Sequence, residues 1–149
     1  LTTSSFKVTC KQNMLEMDLT SALPAAMMES ISNMQVTIEG NQVQLPADLS
    51  AGQELPDAYT NIKAGMEGIT IMNMTIESKN RRVEARERLE TAAGNFDCYK
   101  ISYELSIKAL IKKTYKVVEW YALNTGLVRS ETYNTKGKLE SYLELAGIN

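Results

Sequence analysis

The most informative absence in this 149-residue sequence is histidine, which does not occur at all. Histidine is the usual general base near neutral pH and the most common metal ligand in proteins. Its absence excludes Ser-His-Asp and Cys-His catalytic arrangements and histidine-based zinc or iron centres. We therefore predict a non-enzymatic protein with no metal and no cofactor. A hydrolase that uses only carboxylates is the enzymatic alternative.

Cysteine is also scarce, because Cys10 and Cys98 are the only two in the sequence and have no zinc-binding spacing. Alternation along the chain predicts that Cys10 shares the buried face with Phe6 and Val8. The same alternation places Cys98 with Lys100 on the opposite, polar face. Two free thiols are therefore expected rather than a disulfide, since the two sulfurs would point apart unless a β-bulge intervenes.

Long apolar runs and a charge excess are absent as well. No stretch approaches the roughly 20 apolar residues of a membrane span, so no transmembrane segment is predicted. The 16 basic and 18 acidic residues leave a net charge of −2, which excludes the electrostatic footprint of a nucleic-acid partner. With 44% hydrophobic residues, residues 1–149 are expected to form a single domain.

What the sequence does contain is alternation of apolar and polar residues between turn signals, which is typical of strands with one buried face. A hairpin at Gln12-Asn13 would pair Cys10 with Leu15, and the neighbouring pairs, Val8 with Met17 and Phe6 with Leu19, would lie on the same face. A second hairpin is predicted at Gly40-Asn41 within residues 34–45, where Val36 would oppose Leu45 and Ile38 would oppose Val43. Residues 45–63 are expected to be an irregular connection.

From Gly68 onward the pattern predicts a meander of neighbouring antiparallel strands. A turn is expected at residues 78–80, and one face of the following strand would carry alternating charges that we interpret as a solvated outer face. The docking of a partner is the alternative for that face. Its charged residues are Arg82, Glu84, Arg86, Arg88 and Glu90, opposite Val83, Ala85 and Leu89. The predicted strands cover residues 69–77, 82–90, 96–110, 114–122, 127–133 and 138–145.

A short helix is predicted over residues 21–31, where Pro24 lies in the first turn and apolar residues follow at helical spacing. The methionines of the first half of the chain could form an adaptable apolar groove between this helix and the sheet. Its candidate lining residues are Met27, Met28, Ile31, Met72 and Met74. Ordinary core packing is the alternative for these residues.

Several segments resemble a family of uncharacterised exported proteins labelled TapB-like. The resemblance rests on NRRVE at residues 80–84, TAAGNFDCYKI at 91–101, EWYA at 119–122, GLVRSE at 126–131 and KGKL at 136–139. It covers residues 6–20 and 45–148, with Ala92 where the family usually has proline. The resemblance implies export and a curved sheet similar to the half-barrels of the periplasmic lipoprotein carriers (LolA- and LolB-like). It also implies that the chain lacks one or two N-terminal strands or begins just after them.

These observations together predict a mainly β fold. We expect a curved antiparallel sheet, or half-barrel, of about seven to nine strands in meander order, with one or two short helices on its concave side. The leading interpretation is a periplasmic or secreted binding module of the cell envelope that accepts a lipid or an apolar peptide. The alternative is a structural or assembly protein of the envelope that acts through protein–protein contacts.

Overall fold

The computed structural model describes residues 8–17, 29–41 and 43–148, which contain ten β-strands in two antiparallel sheets. The three-stranded sheet has the order β1-β2-β4, and the seven-stranded sheet has the order β10-β9-β8-β7-β6-β5-β3. The strands are β1 (Val8–Lys11), β2 (Met14–Met17), β3 (Gln35–Gly40), β4 (Val43–Pro46), β5 (Ala58–Met66), β6 (Ile69–Thr91), β7 (Gly94–Lys108), β8 (Lys112–Ala122), β9 (Gly126–Tyr133) and β10 (Leu139–Glu144).

The predicted fold class is confirmed, because the chain is mainly β and its larger sheet is an open, curved, half-barrel-like meander. Helical structure within the described ranges is confined to residues 29–31. Most of the predicted helix, including Met27 and Met28, lies outside the described residues.

The first predicted hairpin is confirmed in the described residues, with Val8 opposite Met17 and Cys10 opposite Leu15. Gln12 and Asn13 have φ values of 46° and 63°, as a two-residue turn with two left-handed positions requires. The pairing of Phe6 with Leu19 lies outside the described residues.

The second predicted hairpin is wrong, because β3 and β4 lie in different sheets. Val36 and Ile38 of β3 pair with Ala64 and Ile62 of β5, whereas β4 pairs with β2 and brings Leu45 opposite Leu15. The reason lies at Gly40, whose φ of 145° continues the strand instead of reversing it. A Cβ at Gly40 would meet the carbonyl oxygen of Tyr59 at 2.1 Å, so only glycine permits this close approach to β5.

Two further predictions along the chain are wrong. Residues 58–63, expected to belong to an irregular connection over residues 45–63, form most of strand β5. The turn expected at residues 78–80 does not occur, and β6 runs unbroken for 23 residues. Asn80 has a φ of 54° but lies within one of two bulges of β6, between Lys79 and Arg82. A left-handed residue can serve a bulge as well as a turn, and the local sequence does not distinguish the two.

The two bulges change which residues of β6 point inward. The second bulge lies between Val83 and Ala85. As a result Val83 packs with Ile101, whereas Leu89 packs with Cys98 on the other face, although the sequence predicts one face for both. The charged residues of the predicted row are exposed but do not lie on one face. Arg82 pairs with Ser102 and Arg86 pairs with Tyr99, and these two partners lie on opposite faces of β7.

The seven-stranded sheet is covered differently on its two faces. We call the face that carries Val83, Ile101 and Tyr121 the inner face, because Leu15 and Leu45 of the small sheet pack against it. A second inner cluster contains Ile62, Met74 and Ile76, with Leu105 and Ile107 beside it. The outer face carries a separate cluster, formed by Leu89, Cys98, Val118, Trp120, Ala122 and Val128.

Both cysteines are free, as predicted, but their expected environments are reversed. Cys10 is exposed instead of buried, and Cys98 is fully buried in the outer cluster instead of lying on a polar surface. Alternation correctly assigns Cys98 to the face of Lys100, but it does not reveal that this face has its own apolar cluster.

Candidate binding groove

A groove of about 830 Å³ lies on the outer face. Strands β7, β8 and β9 form its floor, and the loop at residues 134–137 forms one side. Along β8 it extends from Thr114 to Trp120, which corresponds to about 20 Å at the usual rise of a strand. Its width spans two inter-strand spacings, or about 10 Å. We call this cavity the β7–β9 groove.

The floor of the β7–β9 groove is apolar. Val118 and Trp120 belong to the outer cluster and are 8% and 5% exposed, and Tyr133 packs against the same cluster. Side chains two apart on β8 share a face, so Val118 and Trp120 form a short apolar strip there. An apolar strip of this kind favours a ligand with an apolar portion.

The indole of Trp120 is held in place at one end of the groove. Its Nε1 donates a hydrogen bond to the carboxylate of Glu87. The Lys100 ammonium lies 5.4 Å from the ring centroid and the Arg129 guanidinium lies 5.7 Å from it. Arg129 is itself held by Glu144 of β10, with Nη2 and Oε2 2.7 Å apart. This part of the groove is therefore preorganised by cation–π contacts and an ion pair.

The loop beside the groove is also well ordered by hydrogen bonds. The side-chain oxygen of Asn134 accepts bonds from the amides of Lys136 and Lys138 at 2.9 and 3.0 Å. Its amide nitrogen donates to Glu140 at 2.9 Å, and Gly137 has the positive φ of 78° that the loop requires. This network fixes the side of the groove opposite Asn80, which donates to Glu104 at 2.9 Å.

The polar lining of the groove suits recognition of an amphiphile. Lys100 and Lys116 provide positive charge, while Glu104 and Glu131 provide negative charge. Glu131 accepts a hydrogen bond from the hydroxyl of Tyr133, which raises the pKa of that tyrosine. In the described part of the chain no group of three or more acidic or cysteine side chains is placed to hold a metal ion.

A buried polar cluster lies on the inner face behind the groove. Glu119 accepts hydrogen bonds from the hydroxyls of Tyr103 and Tyr121, at 3.0 and 2.8 Å. Arg81, only 4% exposed, donates from Nη1 to the backbone oxygens of Pro56 at 2.8 Å and Gln44 at 3.1 Å. Arg81 therefore connects β6 to β4 of the small sheet.

The ionisable groups of this cluster are perturbed mainly by loss of hydration. Burial raises the pKa of the Glu119 carboxyl, although hydrogen bonds from both tyrosines and the positive charge of Arg81 act in the opposite direction. Burial also raises the pKa of Tyr103 and Tyr121 well above the ordinary tyrosine value, and the charge of Glu119 adds to the effect. Burial lowers the pKa of Arg81. The hydrogen bonds of Arg81 to Gln44 and Pro56 make the cluster a structural connection between the sheets.

The residues predicted to line an apolar groove lie elsewhere. Ile31 and Met74 are buried, at 5% and 2% exposure, and Met72 packs beside Met74. Met27 and Met28 lie outside the described residues, so a ligand site formed by all five stays a prediction. Sequence reasoning missed the β7–β9 groove, although an alternating strip of Lys116, Val118 and Trp120 was visible within β8.

No helix in residues 8–17, 29–41 or 43–148 is long and apolar enough to cross a membrane. Two solved structures share the fold. A predicted exported protein with a YmcC-like fold from Bacteroides fragilis is 26% identical, with a TM-score of 0.76, over 97% of this chain and 70% of that one. A predicted lipoprotein from Parabacteroides distasonis is 26% identical, with a TM-score of 0.72, over 95% of this chain and 69% of that one.

No curated protein is significantly similar to the chain. The model of the DUF3108-like family matches residues 1–145, which is nearly the whole sequence. The chain therefore belongs to the DUF3108-like family.

Proposed function

We propose that this protein is a non-enzymatic binding module of the cell envelope, periplasmic or secreted, and that the β7–β9 groove binds an amphiphilic ligand with an extended apolar chain. The observation that carries the proposal is the groove itself, with its apolar floor of Val118, Trp120 and Tyr133 between lysines. Its volume of about 830 Å³ lies within the usual range of small-molecule sites.

The shape and charge of the groove support a lipid. An acyl chain would lie along β8 on the apolar strip, and Lys100 and Lys116 would face an anionic head group. A carrier role would parallel the expected resemblance of the curved sheet to the LolA- and LolB-like carriers. An exported location is supported by the descriptions of the two structural neighbours as an exported protein and a lipoprotein.

The proposal can be tested by fluorescence, because Trp120 is the only tryptophan and lies at one end of the groove. The purified protein would be titrated with palmitoyl lysophosphatidylglycerol below its micellar concentration. We expect a saturable change in Trp120 emission. Thr114→Phe, which places a ring at the far end of the groove, is expected to weaken binding at least about tenfold, because a filled site loses its contacts with the chain.

Charge variants separate head-group recognition from nonspecific attraction. Lys116→Glu reverses a charge that lines the groove, and Arg88→Glu makes the same change at an exposed position outside the groove lining. Only Lys116→Glu should weaken binding of the anionic lysolipid. Absence of saturable binding to the wild-type protein, or equal binding by both groove variants and the wild type, would contradict the proposal.

A second candidate function is assembly with an envelope protein through a sheet edge. Within the described residues β3 is an outer strand, and all six of its residues are exposed, including Val36 at 39% and Ile38 at 52%. Exposed edge strands can accept a strand from another protein. Native mass spectrometry of the protein isolated from its own host would distinguish a stable heteromer from a lipid complex, and Ile38→Lys should disrupt only the heteromer.

A further inference from the structure

The connection between β7 and β8 exposes two large apolar side chains at its end. Leu110 is 104% exposed and Ile111 is 73% exposed. Single exposed apolar residues are common, but two adjacent ones at the end of a hairpin have no packing role in the described structure. We call residues 108–113 the β7–β8 tip.

A second set of exposed apolar residues lies at the same end of the sheet. Thr75 of β6 pairs with Lys108 at the end of β7, so the first residues of β6 extend past the β7–β8 tip. Ile69 and Ile71 of this extension are 69% and 60% exposed, and Met66 opposite Ile69 is 52% exposed. Two neighbouring hairpin ends thus expose apolar side chains at the same end of the sheet.

Lysines surround this apolar end. Lys108 lies directly opposite Lys112, and Lys113 follows. Directly opposed like charges destabilise a strand pair. No ion pair in the described residues involves any of the three, although the whole chain has a net charge of −2. Positive charge is therefore concentrated beside Leu110 and Ile111 at the β7–β8 tip, whereas the neighbouring β5–β6 turn carries the exposed Glu67.

We propose that the β7–β8 tip docks on an anionic lipid surface. Leu110 and Ile111 would enter the boundary between head groups and acyl chains, and the lysines would contact the anionic head groups. The composition of the tip favours a lipid over a protein partner, because it lacks the tryptophan, tyrosine and arginine that dominate protein interfaces. This inference does not depend on the ligand of the β7–β9 groove.

The proposal can be tested by vesicle flotation with the full chain. The vesicles would contain phosphatidylcholine and phosphatidylglycerol in one sample and phosphatidylcholine alone in the other. We expect binding to the anionic vesicles only. Binding should decrease in about 1 M salt, where charges more than about 3 Å apart are largely screened from each other. Leu110→Ser/Ile111→Ser should lower the partition coefficient at least about tenfold. The control is Leu123→Ser, which removes an exposed apolar residue after the opposite end of β8.

A second measurement tests insertion itself. Leu110→Trp should be quenched by brominated lipid more strongly than the wild-type protein, whose single Trp120 reports any lipid that enters the groove. Failure of the wild-type protein to bind anionic vesicles would overturn the proposal, and a protein partner would then have to explain the tip. Equal binding by the tip double variant and the Leu123 control would also overturn it. Neither outcome affects the lysolipid titration of the groove, which uses soluble ligand.

Discussion

Substitution of Arg81 provides a quantitative test of how the two sheets are joined. Arg81 is almost fully buried, and its guanidinium donates to the carbonyl oxygens of Gln44 and Pro56 while facing the charge of Glu119. Arg81→Met keeps an apolar side chain of similar length but removes the charge and both hydrogen bonds. Two carbonyl oxygens would then lose their hydrogen-bond donor in the interior, and Glu119 would lose the favourable positive charge of Arg81.

Removing one member of a buried charged network typically costs about 3–5 kcal/mol. The free energy of unfolding of a typical domain is about 5–15 kcal/mol, so this is a large fraction. For a chain of this length, it corresponds to a fall in Tm of about 10 °C. The assay is urea unfolding followed in parallel by Trp120 fluorescence and far-ultraviolet circular dichroism, with coincident transitions as the check on two-state behaviour.

Arg82→Met is the matched control, because Arg82 is the exposed neighbour in the same strand. It should change the unfolding free energy by less than about 0.5 kcal/mol. The double variant Arg81→Met/Glu119→Gln should be less destabilised than the sum of the single variants by at least about 1 kcal/mol, because it also removes the unpaired charge. If Arg81→Met and Arg82→Met unfold within about 1 kcal/mol of each other, the proposed role of Arg81 is wrong.

Two further predictions concern buried ionisable groups. Because the folded protein raises the pKa of Glu119, the folded state binds its proton more tightly than the unfolded state, and this contribution to stability is lost as the pH rises through the folded pKa. Glu119→Gln should therefore gain stability relative to wild type between about pH 4 and pH 7 in urea titrations, and parallel profiles would contradict this. Cys98 is fully buried, and burial raises its pKa, so a thiol reagent should modify only exposed Cys10 in the native protein and both cysteines after unfolding. Rapid modification of Cys98 in a native Cys10→Ser variant would show that the outer cluster opens readily.

Sequence reasoning predicted the parts of the fold that depend on neighbouring segments. The meander of β7, β8 and β9 follows from alternation interrupted by local turns, and Gly126 and Gly137 have the positive φ values that such turns need. The hairpin at Gln12-Asn13 was predictable for the same reason. In each case the strand that pairs is the next one along the chain.

The parts that were missed depend on distant segments or on changes of register. Gly40-Asn41 suits a hairpin locally, but pairing with β5 competes with it and prevails. Strand β5 has little alternation to mark it, because five of its nine residues are buried. Asn80 gives the same local signal for a turn and for a bulge.

The β7–β9 groove was hidden for a related reason. The residues with which Trp120 interacts come from β6, β7 and β9, as Glu87, Lys100 and Arg129 show. A polar alternate row in the sequence indicates solvent exposure, and only the arrangement of neighbouring strands shows that part of that row lines a groove. The sequence pattern likewise predicted a strand over residues 96–110, with Leu110 as its last residue and Ile111 directly after it. That prediction did not reveal the exposure of the two side chains.

The two bulges of β6 each insert one extra residue, and together they shift the alternation by two residues. Before the first bulge even-numbered side chains such as Met74 and Ile76 point inward, and after the second bulge Arg86 lies beside the ring of Tyr99 on that same face. Between the bulges the rule is inverted, so Arg81 and Val83 face the interior. The short segment between the bulges therefore places Arg81 inward. In both flanking segments the even-numbered residues point inward. A variant that lacked only one of the two extra residues would invert which side chains point inward along the rest of the strand, or the remaining bulge would have to move.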